Sequence, residues 1–300
     1  MKKCLVTGGA GFIGSNLVDH LLSNGHEVIV VDNESANSHD EYYWNDVCTN
    51  YKFDLSFEEN LGRLISICTG VDYIFHLASD VSIPYCIEKP HSAYLNNVAS
   101  LSHVLEAARV CQVERVVFSS TAAIYGMTNS ICVETATPDP LNPYSVSKLS
   151  GEYLMKMYYD LYNVKTVSLR YFNVYGPRQP ETGQYAPVMG IFLKQRNEGK
   201  ALTVVGDGLQ TRDFIHVSDI AAANLIVAEK DAETYGQVYN VGTGNATSVK
   251  KIAKLISDRI EYLPPRLAEA RHSLSNINKI RNTYRWEPKI KLDDWIGEQI

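Results

Sequence analysis

No stretch of this 300-residue chain approaches the roughly 20 consecutive apolar residues that a membrane helix needs. The apolar run that begins at Cys4 stops at Gly8-Gly9, too short for the core of a secretory signal. There is no long basic run, and the net charge is −6. Bulk electrostatics therefore give no reason to expect nucleic acid or an anionic membrane surface as a partner. None of the six cysteines forms a CxxC pair or sits at zinc-ligand spacing, and the eight histidines form no ligand pattern. No metal site is expected, and scattered thiols suit a reducing, cytoplasmic setting. Internal repeats and low-complexity segments are missing as well. What remains is a globular chain with 45% hydrophobic residues, in which local groups must hold any phosphate-bearing ligand.

Short apolar runs alternate with helical patterns. Residues 3–7 read as a strand, the pattern Phe12, Ile13, Leu17, Val18, Leu21, Leu22 as a helix, and 27–31 as a second strand ending at Asp32. Together they form a βαβ unit. Gly9-x-Gly11-x-x-Gly14 lies between the first strand and its helix, with an acid at the end of the second strand. That is the context a dinucleotide fingerprint requires. Glycines let backbone amides approach a pyrophosphate at the positive end of a helix. Asp32 suits a ribose 2′-hydroxyl and repels a 2′-phosphate, which favours NAD over NADP. Further strands are expected at 51–55, 71–77, 115–119 and 165–169, with helices at 57–68 and 91–111; 35–49 gives no firm reading. The alternation predicts an α/β fold, a parallel, doubly wound sheet with helices on both faces. Residues 1–170 are expected to form this cofactor domain and 171–300 a smaller mixed α/β substrate domain, with segments from 213–242 returning to the first.

Two stretches carry candidate chemistry. Asn142-Pro143 reads as the capped start of a helix. Tyr144 and Lys148, four apart, share one face of its first turns. An ammonium beside a phenol favours the phenolate, so Tyr144 is expected to titrate below its ordinary value. The strand at 115–119 ends in Ser119-Ser120-Thr121, at the edge where such sheets bind ligands. His76, and the tyrosines at 158, 159 and 162, read as packing residues.

Taken together, Thr7–Gly14, His76-Leu77-Ala78, Ser119-Ser120-Thr121, Tyr144-x-x-x-Lys148, Leu169–Arg178, Gly206–Phe214 and Tyr239–Gly244 resemble the extended short-chain dehydrogenase/reductases. More narrowly, they resemble the NAD-dependent nucleotide-sugar epimerases, over nearly the whole chain. The resemblance implies a Rossmann sheet, a bound NAD and a nucleotide-sugar substrate. It implies Tyr144 as the base, Lys148 as its charge partner and Thr121 as a second hydroxyl on the reacting oxygen. Gly8, Gly11, Phe12, Ile13, Gly14, Asp32, Asn33, Asp54 and Leu55 would line the adenosine half of the cofactor. Leu77, Ala78, Asn97, Ser119 and Phe172, with Tyr144 and Lys148, would line the nicotinamide half. Asn173, Arg212 and Arg266 would hold the nucleoside diphosphate, with Ser82 and Ser273 on the sugar side.

Within the resemblance, Ala122 and Ala123 stand where the dehydratases and decarboxylases carry an acid, which favours epimerisation at C4. Ser273 occupies a gating position at which a small residue admits N-acetylhexosamines, pointing to UDP-GlcNAc/UDP-GalNAc together with UDP-Glc/UDP-Gal. Ala268, Asn276, Tyr85 and Val205 depart from the family pattern. The helices at 91–111 and 143–162 resemble those of the family's dimer contact, so a homodimer is expected. A reductase or dehydratase on the same scaffold, and a non-catalytic binding protein, are the alternatives.

Overall fold

A computed structural model describes residues 1–36, 41–128, 130–182, 186–265 and 271–300. Seven strands form the central sheet: β1 (Lys3–Thr7), β2 (Glu27–Asp32), β3 (Thr49–Lys52), β4 (Tyr73–His76), β5 (Arg115–Thr121), β6 (Thr166–Tyr171) and β10 (Gln237–Val241). Their order is β10-β6-β5-β4-β1-β2-β3, and every pairing is parallel. The inner strands are buried along almost their whole length. This explains why they read as unbroken apolar runs and not as alternating patterns. The last strand to join, β10, comes from far along the chain and covers the outer edge of β6.

One face of the sheet packs against α1 (Phe12–Ser23), α8 (Val217–Glu229) and α10 (Asn278–Tyr284), through Leu17, Leu21, Ile220 and Tyr284. The other packs against α2 (Leu61–Cys68), α5 (Ser100–Cys111) and α6 (Pro143–Tyr162), through Leu64, Leu101, Leu105 and Met155. A third core, around Phe192, Val204, Ile252 and Trp295, joins α7 (Val188–Asn197), α9 (Val249–Ile256) and α11 (Leu292–Gln299) to two small sheets. One orders β11 (Ala246–Ser248), β9 (Thr211–His216) and β7 (Asn173–Tyr175); the other pairs β12 (Ile260–Leu263) with β8 (Leu202–Val205).

Three sequence expectations need correction. The third strand is Thr49–Lys52, so Asp54 and Leu55 lie beyond its end. The helix expected at 57–68 is α2 preceded by a short 3-10 turn at Glu58–Asn60. The helix expected at 91–111 is α4 (Pro90–Tyr94), one π-helical turn at Leu95–Ala99, and α5. A short helix, α3 (Ile83–Glu88), precedes it and was not anticipated. The region 41–48 contains neither helix nor strand. Tyr43 N donates to the Ala10 carbonyl at 2.8 Å, Trp44 Nε1 to Glu34 Oε1 at 2.8 Å and Asn45 Nδ2 to Asp19 Oδ1 at 2.9 Å. Among the described residues, no helix is long and apolar enough to cross a membrane.

Candidate active site

The carboxyl ends of the central strands open onto a crevice of about 440 Å³. Gly8, Gly11, Phe12, Ile13, Gly14, Asp32, Asn33, Asp54, Leu55, Leu77, Ala78, Ser119, Thr121, Tyr144, Lys148, Phe172 and Asn173 all line it. At its floor, β1 runs into the glycine turn and α1. A Cβ on Gly14 would lie 2.0 Å from the Gly8 carbonyl oxygen, so only glycine lets the first turn of α1 settle against the loop. This leaves a cradle open to a pyrophosphate at a helix N-terminus. Asp32 accepts the Ala10 amide at 3.0 Å and the Glu34 amide at 2.8 Å. Burial raises its pKa although these backbone donors oppose the shift. Asp54 is fixed by Asn33 Nδ2 at 2.8 Å and by the Ser56 amide and hydroxyl at 2.7 and 2.6 Å.

These residues fit NAD: a glycine cradle for the pyrophosphate and, at the end of β2, the Asp32 carboxylate that suits a ribose hydroxyl. We expect Gly14→Ala to lower NAD affinity by at least about tenfold, the equivalent of ~1.4 kcal/mol. Extraction of nucleotide from the purified variant checks this; a native NAD content would contradict it.

The reactive end is built by α6 against β5. Asn142 Oδ1 accepts the Ser145 amide at 3.0 Å, and the Ser145 hydroxyl faces the Asn142 amide at 3.3 Å, a reciprocal capping box with Pro143 as the first helical residue. The cap fixes where Tyr144 and Lys148 point. Lys148 is 2% exposed; its Nζ donates to the Ser119 carbonyl at 2.8 Å and lies 4.9 Å from the Phe118 ring centroid and 6.0 Å from that of Tyr144. Burial pushes Lys148 down to about 7. It pushes Tyr144 up to about 12, with the Thr121 hydroxyl bond pulling the other way. The expected downward shift of Tyr144 is therefore reversed in the chain alone. One of the Lys148 N–H donors goes to the Ser119 carbonyl, and the loss of water by both groups outweighs their proximity.

The crevice also contains residues the sequence reading missed: Ser79, Asp80, Asn96 and Tyr42. The π turn places neighbouring asparagines on one loop. Asn96 Nδ2 donates to Asp80 Oδ2 at 2.6 Å. Asn97 Oδ1 accepts the Asp80 amide at 2.7 Å, while its Nδ2 donates to the Asp80 carbonyl at 3.0 Å and to the Ser147 hydroxyl at 2.9 Å. Asn97 thus sits behind the crevice wall and ties it to α6. The only signal in the sequence was the Asn96-Asn97 pair inside a helical stretch.

The remaining predicted residues lie elsewhere. Ser82 caps α3 by accepting the Tyr85 amide at 3.1 Å. Arg212 is on β9, next to Thr211, whose carbonyl accepts the Ser273 amide at 3.1 Å. Asn173, which also lines the crevice, connects to this side through an Nδ2 bond to the Asp213 carbonyl at 3.2 Å. Arg266, with Ala268, lies outside the described residues. His76 is fully buried, with Nδ1 2.7 Å from the Thr7 hydroxyl, and burial lowers its pKa to about 3. It packs as expected. Tyr158 is buried, whereas Tyr162 is 49% exposed.

Residues 4–242 match the NAD dependent epimerase/dehydratase family. The chain belongs to this family, and its cofactor is NAD. The resemblance to NAD-dependent nucleotide-sugar epimerases is borne out by its relatives. A putative UDP-glucose 4-epimerase of Methanocaldococcus jannaschii is 34% identical over 99% of this chain and 96% of its own length. A UDP-N-acetylglucosamine 4-epimerase from Methanobrevibacter ruminantium M1, solved with UDP-N-acetylmuramic acid, superposes with a TM-score of 0.91 at 33% identity, covering 99% of this chain and 96% of that one. The UDP-glucose 4-epimerase of Thermotoga maritima, solved with UDP-glucose, gives a TM-score of 0.91 at 36% identity over 98% and 96% of the two chains.

Proposed function

We propose that the chain catalyses 4-epimerisation of a UDP-sugar through a transient 4-keto sugar, acting on UDP-GlcNAc/UDP-GalNAc and also on UDP-Glc/UDP-Gal. The observation that carries this reading is the grouping of Thr121, Tyr144 and Lys148 in the crevice, beside a turn in which Ala122 and Ala123 offer no acid or base. A 4,6-dehydratase needs such a group; a 4-epimerase does not.

Tyr144 takes the proton of the C4 hydroxyl and returns it after the sugar has turned over. Thr121 shares the hydrogen bond to that oxygen. Lys148, held by the Ser119 carbonyl, orients the cofactor ribose and supplies positive charge to the developing phenolate. Bound NAD would supply reversible hydride chemistry at C4, and the chain's own residues would hold it against the sugar. The glycine turn, Asp32, Asn33, Asp54 and Leu55 hold the adenosine half; Leu77, Ala78, Ser119 and Phe172 hold the nicotinamide half, with Asn97 supporting that wall from behind. Asn173, Arg212 and Arg266 hold the nucleoside diphosphate, and Ser82 and Ser273 face the sugar. The domain division at residue 170 follows the same split between cofactor and substrate only in part, since α8, β10 and α10 return to the cofactor sheet.

A homodimer in the cytoplasm completes the proposal. Tyr153 and Leu161 on α6 are 62% and 68% exposed, and Tyr94 on α4 is 54% exposed. These are apolar side chains on the helices the resemblance assigns to a dimer contact. All six cysteines are free thiols, as a reducing compartment would keep them.

Incubation with UDP-GlcNAc, UDP-Glc, UDP-GlcA and dTDP-Glc, followed by separation of C4 epimers, tests the proposal. Interconversion of UDP-GlcNAc with UDP-GalNAc without added cofactor is the expected result. Turnover of UDP-Glc alone would remove the role given to Ser273. Loss of water or accumulation of NADH would replace epimerisation with dehydration or reduction.

A further inference from the structure

We propose that Asp213 is the positioning residue of the nucleotide-binding half of the site. The proposal rests on the reading above, in which Asn173, Arg212 and Ser273 meet the UDP-sugar. Asp213 is completely buried on β9 and is not among the residues that line the cofactor crevice. Its carboxylate gathers five donors from two distant segments. Oδ1 accepts the Thr243 amide at 2.8 Å and the Thr243 hydroxyl at 2.7 Å. Oδ2 accepts the Gly244 amide at 3.0 Å, the Ser275 amide at 3.2 Å and the Ser275 hydroxyl at 2.5 Å. Its backbone carbonyl accepts Asn173 Nδ2 at 3.2 Å. Hydrogen bonds to an ionised acceptor are about twice as strong as neutral ones, so this carboxylate is a rigid junction between β9, the turn after β10 and the segment that carries Ser273, while β7 is joined through the backbone carbonyl.

A second observation marks the same junction. A Cβ on Gly242 would lie 2.4 Å from Ser275 Oγ and 2.8 Å from Asp213 Oδ2; the glycine leaves room for this pair to close. The segment is also attached to β9 through the bond from Thr211 N to the Arg271 carbonyl at 3.0 Å, that from Ser273 N to the Thr211 carbonyl at 3.1 Å and the contact of the Thr211 hydroxyl with His272 Nδ1 at 3.0 Å, and to Cys132 through the Leu274 carbonyl at 2.8 Å and the Asn276 amide at 2.9 Å. Asp213 is thus the buried charged anchor of this segment: its carboxylate holds the chain two residues beyond Ser273 to β9, beside Arg212, and its backbone carbonyl holds Asn173.

The chemistry gives a specific disruption. In Asp213→Asn one oxygen becomes an NH2 group. Whichever way the amide is turned, that NH2 faces at least one backbone N–H, from Thr243 on one side or from Gly244 and Ser275 on the other. Two donors cannot bond each other. Gly242→Ala drives the same pair apart with no change of charge, and Ser275→Ala removes only the hydroxyl bond.

UDP is the probe, because it is common to every substrate considered and independent of the sugar. Calorimetric titration of the NAD-loaded native protein and of the three variants is expected to show UDP affinity reduced about tenfold or more in Asp213→Asn and Gly242→Ala, and less in Ser275→Ala. KM for the sugar nucleotide should rise in parallel, while NAD content and kcat change much less. Native UDP affinity in folded Asp213→Asn overturns the proposal. So does equal loss of UDP and NAD, which would mark a general structural role. Should Asp213→Asn not fold, native affinity in Ser275→Ala overturns it instead. A native protein without affinity for UDP would sink the reading of the site itself, and this inference with it.

Discussion

Tyr144→Phe is expected to lower the epimerisation rate by about 10³-fold while NAD stays bound, within the range that removal of a general acid–base group produces. The ring is kept, so the packing of α6 on β5 and the position of Lys148 survive. Only the oxygen that accepts the proton is lost. Thr121 cannot take its place, since its hydroxyl has far too high a pKa and already accepts the Ala123 amide at 3.1 Å. In the chain alone the phenol is pushed up to about 12, so Tyr144 is a poor base until ligands bring further positive charge to the crevice. The native rate is therefore expected to be insensitive to free phenolate at neutral pH and to depend on the assembled complex. Rate measurements on enzyme with its NAD content determined independently check both points. A variant within tenfold of native would move the base elsewhere.

The second large effect concerns stability. Glu152→Ala is expected to cost about 3–5 kcal/mol, the usual penalty for removing one partner of a buried ion pair. Arg170 and Glu152 have side chains only 4% and 5% exposed, with Nη2 to Oε2 at 2.7 Å and Nε to Oε1 at 2.8 Å. Burial works against the charge on Arg170, but Glu152 outweighs it and holds the guanidinium protonated. Without Glu152 that cation has no carboxylate partner among the described residues. The Ser120 hydroxyl, which donates to Glu152 Oε1 at 2.5 Å, loses its acceptor too. Ser120 lies between Ser119, whose carbonyl holds Lys148, and Thr121, so the loss reaches the reactive end of the crevice. Chemical denaturation measures the cost, and a change below about 1 kcal/mol, the scale of an exposed pair, would show that the interior tolerates the bare guanidinium.

Much of this architecture was legible in the residues. The inner strands are apolar runs bounded by glycine or polar residues because parallel strands bury both faces. The glycine turn and the Asn142-Pro143 cap are local devices whose geometry follows from residue type. Most residues expected on the cofactor side line the crevice for the same reason, since they sit at or just beyond strand ends and helix starts. Asp80 and Asn96 were not readable, because a hydrogen bond between residues sixteen apart and not local propensity brings them together, and Tyr42 falls in a stretch with no regular element. The helix at 91–111 looked continuous since a π turn leaves the apolar periodicity nearly intact. The titration of Tyr144 was misjudged for a different reason: spacing predicts that two groups share a helix face, but it says nothing about how much water they keep.

The position of β10 has a consequence for how the chain is made. Thr166–Tyr171 is synthesised well before Gln237–Val241, its parallel partner. Until that later segment leaves the ribosome, β6 presents an open row of backbone donors and acceptors on a strand buried in the finished protein. Such an edge is a template for pairing with a neighbouring chain. A nascent chain stalled between these segments already holds the glycine turn, Tyr144 and Lys148, yet its sheet ends on an uncovered strand. The interval in which aggregation competes with folding is thus set by the roughly 65 residues separating β6 from β10.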